Sequence, residues 1–241
     1  FSLMLFSFVV AVLLFYFFLY FSKNKLSALC FSYVNMAWLG FPFAIALFGT
    51  KISPAMVALY IGGSIFGNLW AVTAVSQTPL AFSFILKKVL CAPPMIALIL
   101  ALIFRSVGVQ HWSQHDLIDV IYSAAKFGMS FSGMCVLGMW LRHTKVEKAD
   151  LWQSSQTALL KLACGAVLCG LSYRYLAIPN IEQYIGVMFL LFCLPPAANI
   201  VALETHYQGT GMSAKYIASG TIISCVVVSI YGLLLHVFAV I

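Results

Sequence analysis

The chain alternates long apolar stretches with short polar connections. Each stretch approaches the roughly 20 residues that a helix needs to cross the hydrocarbon core of a bilayer. The pattern therefore predicts an all-α integral membrane protein with about eight transmembrane helices. The predicted spans are approximately residues 2–21, 27–48, 55–75, 84–104, 117–141, 154–176, 184–206 and 214–240.

Composition supports this prediction. The 241 residues are 63% hydrophobic and 8% charged, with a mean hydropathy of +1.03, whereas about 25% of a soluble domain is charged. The surface therefore cannot face water throughout. The net charge of +7 comes from basic residues between apolar runs, which argues against a nucleic-acid partner because no basic patch forms.

Two of the predicted spans contain helix breakers. Pro195 and Pro196 lie within FLLFCLPPAANIVALE, and Gly40 and Pro42 lie within the span 27–48. Proline lacks an amide hydrogen and clashes with the preceding turn, so a helix cannot continue unchanged through a proline pair. Freed backbone groups at membrane depth need a partner or a ligand. We therefore expect the two breaks to face each other and to form a binding site.

The broken spans 27–48 and 184–206 are the second and seventh predicted spans. An odd offset of five spans means that two repeats would lie in opposite orientations, as in many secondary transporters. Residues 1–75 then form the remainder of a first repeat with three spans, and residues 76–241 form a second repeat with five. Five spans in each repeat would require two helices before Phe1.

Basic residues are distributed unequally between the two sets of alternate loops. Cytoplasmic loops collect lysine and arginine, so the richer set is predicted to be cytoplasmic and the C-terminus to lie outside. The poorer set holds Lys51, Arg105 and Arg174. The richer set holds Lys23, Lys25, Lys87, Lys88, Arg142, Lys145, Lys148 and Lys215.

Several motifs resemble one transporter family. The pattern N-x-x-x-x-G-x-P at Asn35, Gly40 and Pro42, followed by LFG, resembles the fourth helix of the auxin efflux carrier family. The run LPPAA at residues 194–198 resembles its ninth helix, at the crossover. Residues 124–141 and the run LLKL at 159–162 look like its seventh and eighth helices, so the resemblance covers helices three to ten.

This resemblance implies a ten-helix transporter with a five-plus-five inverted repeat and two broken, crossed helices. It implies a permease of the bacterial cell inner membrane that moves a small organic anion, such as malonate, by alternating access. The implied partners are the anionic substrate, the lipid bilayer, a proton or sodium ion for coupling, and a second copy in a homodimer. The sequence does not choose between a coupling ion and the membrane potential alone.

Lys126 is a charged residue inside a predicted span. It lies about nine residues into the fifth span, which corresponds to roughly 13 Å of helix rise. Charged side chains at this depth usually face a cavity or a partner. Lys126 is therefore a candidate to bind an anionic substrate, or to occupy the place of a sodium ion as a tethered cation. A structural ion pair or snorkelling to the interface would also explain it.

Three further polar residues accompany the breaks. Asn199 follows the proline pair by about one turn, and Asn35 precedes the other break; both amides are candidate ligands, although amides also bond neighbouring helices. Glu204 is a carboxylate inside the predicted span 184–206, about two turns after the proline pair. It is a candidate carrier of a coupling proton, because burial raises a carboxyl pKa, or else a solvated residue at a helix end beside His206.

The sequence contains no motif that indicates an enzyme. It has no phosphate-binding loop, nucleophile elbow or Cys/His dyad at useful spacing, and its histidines match no metal site. No cofactor, metal or catalytic activity is therefore predicted. A membrane-embedded ligand sensor and a channel of the same fold remain alternatives to a transporter.

Overall fold

A computed structural model of the chain describes residues 1–71, 93–108, 116–142, 144–207 and 212–237, together with residues 74, 83, 87, 90 and 91. Short π-helical turns cover Met36–Gly40 and Gly67–Ala71, and a 3-10 turn covers Thr50–Ile52. The α-helices in this part of the chain are α1 (Ser2–Ser22), α2 (Lys25–Ser32), α3 (Phe41–Phe48), α4 (Ser53–Phe66), α5 (Pro93–Val107), α6 (Asp116–Arg142), α7 (Lys148–Tyr175), α8 (Ile181–Cys193), α9 (Asn199–Tyr207) and α10 (Met212–Val237).

Four helical segments among the described residues are long and apolar enough to cross a membrane. They are Ser2–Ser22, Thr50–Ala71, Lys148–Tyr175 and Met212–Val237. The helical class is confirmed, and the four segments indicate a membrane protein. The count of eight spans and the repeat remain predictions.

The first polar connection folds as a tight turn. Lys23 adopts a left-handed conformation with φ of 54°, and its amide donates to the carbonyl of Leu19. The side chain of Asn24 then accepts hydrogen bonds from the amides of Leu26 and Ser27, which caps α2. Asparagine is a preferred residue at this position because it satisfies amides that the helix leaves free. The turn returns α2 along α1, and the two helices pack together.

Two groups of helices have the same packing arrangement. α1 packs against α2 and α4, and α7 packs against α8 and α10. In each group the middle element is interrupted: α2 continues into α3 only after a break, and α8 continues into α9 after another. The interruptions therefore occupy equivalent places between two long helices.

The first interruption does not lie where the sequence predicts it. Gly40 and Pro42 belong to a continuous stretch in which the π-helical turn runs directly into α3. Pro42 lies in the first turn of α3, directly after the π-helical turn, and a local π-helical adjustment lets a helix continue past a proline. The chain is instead extended at Tyr33, and Asn35 precedes the π-helical turn. The predicted break at Gly40 and Pro42 is therefore wrong in position.

The contact between α1 and α4 depends on a glycine. A Cβ atom added to Gly62 would collide with the carbonyl oxygen of Met4 and lie 3.1 Å from the Cβ of Ser7. We expect Gly62→Ala to lower the free energy of unfolding by about 1–3 kcal/mol, because backbone must move to admit the methyl group. Thermal unfolding in detergent would measure this as a lower Tm.

Gly170→Ala is the matched control for this substitution. Gly170 lies in α7 with no atom within 4 Å of an added Cβ, and alanine is favoured over glycine in a helix by about 1 kcal/mol. The control is therefore expected to leave Tm unchanged or to raise it slightly. Equal Tm values for the two variants would contradict the close approach of α1 and α4.

Candidate functional site

The two interrupted helices meet at their interruptions. Val34 and Pro196 form an isolated antiparallel β-bridge. The amide of Asn35 donates to the carbonyl of Pro195 at 2.9 Å, and the amide of Ala197 donates to the carbonyl of Tyr33 at 2.9 Å. We call residues 33–35 and 194–198 the crossover. Each segment supplies the backbone partners that the other segment needs.

The proline pair explains the second half of the crossover. Pro195 and Pro196 offer no amide hydrogen, and the chain is extended from Leu194, with φ of −80° and ψ of 149°. α9 begins after Ala198, where the amides of Ile200 and Val201 donate to the carbonyls of Ala197 and Ala198. The predicted interruption near the proline pair thus separates α8 from α9 in the structure.

Asn35 has a buried amide nitrogen that has no partner in the described part of the chain. Its Oδ1 accepts a hydrogen bond from the amide of Trp38 at 3.2 Å. Because a backbone amide can only donate, the oxygen must face Trp38 and the Nδ2 group must point elsewhere. The side chain is 5% exposed, and Nδ2 has no hydrogen-bond partner among the described residues. A buried donor without an acceptor lowers the stability of the folded protein, and a ligand that accepts its hydrogen bond removes this penalty.

Asn35 is one of the residues that line a small cavity. The cavity has a volume of about 120 Å³ and is lined by both segments of the crossover and by Asn199, which directly follows the second segment. Asn199 is the first residue of α9, and its Nδ2 donates to the hydroxyl of Tyr33 at 3.1 Å. Tyr60 and Ser64 of α4 complete the polar part of the lining. We call this space the amide cavity.

Lys161 is a functional candidate that the sequence reasoning missed. It lies in α7, its side chain is 5% exposed, and its Nζ donates to the carbonyl of Leu194 at 2.7 Å. A lysine within the apolar run LLKL is the signal that could have found it, since the same rule singles out Lys126. The side chain of Lys126 lies outside the described residues, so its proposed role stays a prediction.

Glu204 is buried and binds the start of α10. Its side chain is 0% exposed, so the alternative of a solvated helix end is wrong. Its carboxylate accepts hydrogen bonds from the amide of Met212 at 2.9 Å, from the amide of Ser213 at 2.8 Å, and from the hydroxyl of Ser213. Helix N-termini attract negative charge because their first amides lack partners within the helix. The carboxylate therefore caps α10, and a role in proton coupling stays a prediction.

The remaining predicted residues lie close to the crossover without lining the amide cavity. A Cβ atom added to Gly40 would lie 2.9 Å from Cδ1 of Leu194, so this glycine allows the crossover to approach the π-helical turn. Pro42 lies two residues after Gly40, in the first turn of α3. Pro195 and Pro196 belong to the crossover itself and line a second cavity.

Comparisons with protein-family models, curated proteins and solved structures found no match to this chain.

Proposed function

We propose that this chain is a secondary transporter of the auxin efflux carrier type that moves a small organic anion across a membrane by alternating access. The observation that carries the proposal is the buried Nδ2 group of Asn35 at the crossover, beside a cavity of about 120 Å³. Two interrupted helices that meet in this way are the usual frame of a binding site at membrane depth.

The unpartnered group favours an anion over a cation. Nδ2 of Asn35 can donate but cannot accept a hydrogen bond, so its natural ligand is an acceptor such as a carboxylate oxygen. Asn199 adds a second amide to the lining of the same cavity. A metal cation or an ammonium group would leave the donor of Asn35 unsatisfied.

The shared packing of the two helix groups supports the transport mechanism. In the proposed protein the two groups are corresponding parts of two inverted repeats, residues 1–75 and 76–241, and together they hold the crossover. Movement of this unit against the other helices exposes the same site first to one side of the membrane and then to the other. By this proposal the protein is a multi-pass protein of the bacterial inner membrane with its C-terminus outside.

Counterflow in proteoliposomes tests the proposal. The full-length protein is reconstituted, and uptake of labelled malonate and succinate is compared with uptake of a labelled cationic amino acid. We expect saturable exchange of the dicarboxylates, because only an acceptor ligand completes the bonds of Asn35.

Three results would contradict the proposal. Exchange of the cationic amino acid alone would overturn the anion assignment. Anion flux that neither saturates nor shows counterflow would indicate a channel, and binding of malonate without any flux would indicate a sensor. Liposomes without protein provide the baseline, and the folded state is checked by size-exclusion chromatography before reconstitution.

A further inference from the structure

A second cavity meets the crossover at Leu194, Pro195 and Pro196. Its volume is about 300 Å³, and it shares no lining residue with the amide cavity. The first halves of α7 and α10 and the start of α2 form its walls, and Lys161 lies in its lining. We call this space the lysine cavity.

The ammonium group of Lys161 can donate further hydrogen bonds. It carries three donors, and its one hydrogen bond within the described structure goes to the carbonyl of Leu194. A neutral carbonyl does not cancel the charge. Within the same part of the structure, no acidic side chain lines the lysine cavity. Glu204 is turned to the amides of Met212 and Ser213 instead.

The rest of the lining mixes apolar side chains with polar ones that can donate hydrogen bonds. Ser27, Thr157, Tyr216 and Asn24 all face this cavity. Hydroxyl and amide groups of this kind stabilise a carboxylate through hydrogen bonds, and an ammonium group adds a charge-assisted bond. A buried cation next to a polar cavity is rare inside a membrane protein and usually marks the path of a ligand or ion.

We infer that the lysine cavity is a second anion-binding site, in which Lys161 and the surrounding hydroxyl groups bind a small organic carboxylate. The connection at Ser22 and Asn24 borders this cavity, and Lys23 and Lys25 flank these residues in the sequence. Positive charge around an opening raises the local concentration of anions. In the proposed transporter this site receives the substrate from the side of the membrane to which those lysines belong.

This inference deepens the proposed function and rests on it for one point, the side of the membrane from which the substrate enters the lysine cavity. The binding site itself rests on the charge and lining of the cavity. Its test therefore measures the reactivity of a thiol and not transport, so the two proposals can fail separately. A protein that does not transport malonate would still show an anion-selective lysine cavity.

The test uses Ser27→Cys in the full-length protein. This substitution changes one atom in the lining, because the Ser27 hydroxyl becomes a thiol. Rates of reaction with a negatively and a positively charged methanethiosulfonate are compared, each corrected for its rate with free cysteine and for labelling of the parent protein. We expect the negative reagent to react several-fold faster, because the field of Lys161 attracts it.

Two further arms make the result specific to Lys161. Adding Lys161→Met should remove most of the preference for the negative reagent, whereas Lys161→Arg should retain it. Malonate or succinate at saturating concentration should slow the negative reagent at the Ser27→Cys thiol. Ser53→Cys, at the start of α4 and outside the lining of this cavity, is the control thiol, and its rate ratio should not respond to Lys161→Met or to the dicarboxylates.

The inference is overturned if the Ser27→Cys thiol shows no preference for the negative reagent, or if Lys161→Met leaves that preference unchanged. If Lys161→Met does not fold, protection by dicarboxylates is measured with Lys161 intact. The absence of protection by malonate, succinate and sulfate in that arm would also overturn it.

Discussion

Asn35→Ser is expected to reduce anion exchange by about 10- to 150-fold while the protein still folds. Serine is as good a capping residue as asparagine, so its hydroxyl can still accept from the amide of Trp38. The substitution removes the Nδ2 group, whose bond to a charged acceptor would contribute about 1.5–3 kcal/mol. Counterflow of labelled malonate in proteoliposomes measures the effect.

Two variants provide the controls. Asn35→Asp has a side chain of the same length, so one of its oxygens can still accept from the amide of Trp38. Its other oxygen is negatively charged and repels an anion where Nδ2 would donate to one, so exchange should be lost more completely than in Asn35→Ser. Asn68→Ser removes an amide of the same group of helices, whose Nδ2 bonds to the carbonyl of Ser64 one turn earlier. This control should exchange malonate at nearly the normal rate. Normal exchange by folded Asn35→Ser protein would contradict the role of Asn35 in anion binding.

Glu204→Ala is expected to lower the free energy of unfolding by about 3 kcal/mol or more. The carboxylate accepts hydrogen bonds from the amides of Met212 and Ser213 and from the Ser213 hydroxyl. Alanine leaves these donors at the start of α10 without their acceptor, and each unsatisfied buried donor costs about 1–3 kcal/mol. For a chain of this size the expected drop in Tm is about 10 °C.

An exposed carboxylate gives the comparison. Glu182 lies in the first turn of α8 and is exposed, so Glu182→Ala should cost less than about 1 kcal/mol. Ser213→Ala removes only the hydroxyl donor and should fall between the two. A Glu204→Ala protein with the same Tm as Glu182→Ala would show that the carboxylate does not hold the start of α10.

Glu204→Gln separates capping from proton coupling. Glutamine keeps an oxygen that accepts from one amide, so part of the stability is retained. If Glu204 carries the coupling proton, the variant should exchange malonate with a flattened pH profile. An unchanged pH profile in a folded Glu204→Gln protein would leave Glu204 with its capping role alone.

The sequence predicts those parts of the fold that depend on local hydrogen bonding and hydrophobicity. The turn between α1 and α2 lies in the polar connection between the predicted spans 2–21 and 27–48, and there the Asn24 side chain accepts a hydrogen bond from the amide two residues later. The break between α8 and α9 follows from Pro195 and Pro196, since neither residue can donate to a helix under any packing. The apolar helices follow from composition and length alone, because hydrocarbon requires each span to satisfy its own backbone.

The first interruption could not be located in this way. Val34 and its neighbours include no proline, and their extended conformation is maintained by hydrogen bonds to Pro195 and Ala197. Those partners lie roughly 160 residues later in the chain. Pro42 gave the wrong signal, because the π-helical turn before it lets the helix continue past the proline.

The sequence by itself determined the helical class, the membrane character and the break at the proline pair, all of which depend on short-range chemistry and hydrophobicity. Only the tertiary structure decided what the polar residues do. Lys161 and Glu204 are both charged residues in apolar surroundings, yet one bonds a crossover carbonyl and the other caps α10. Their roles depend on which backbone groups the packed helices bring to them, and that is a property of the fold.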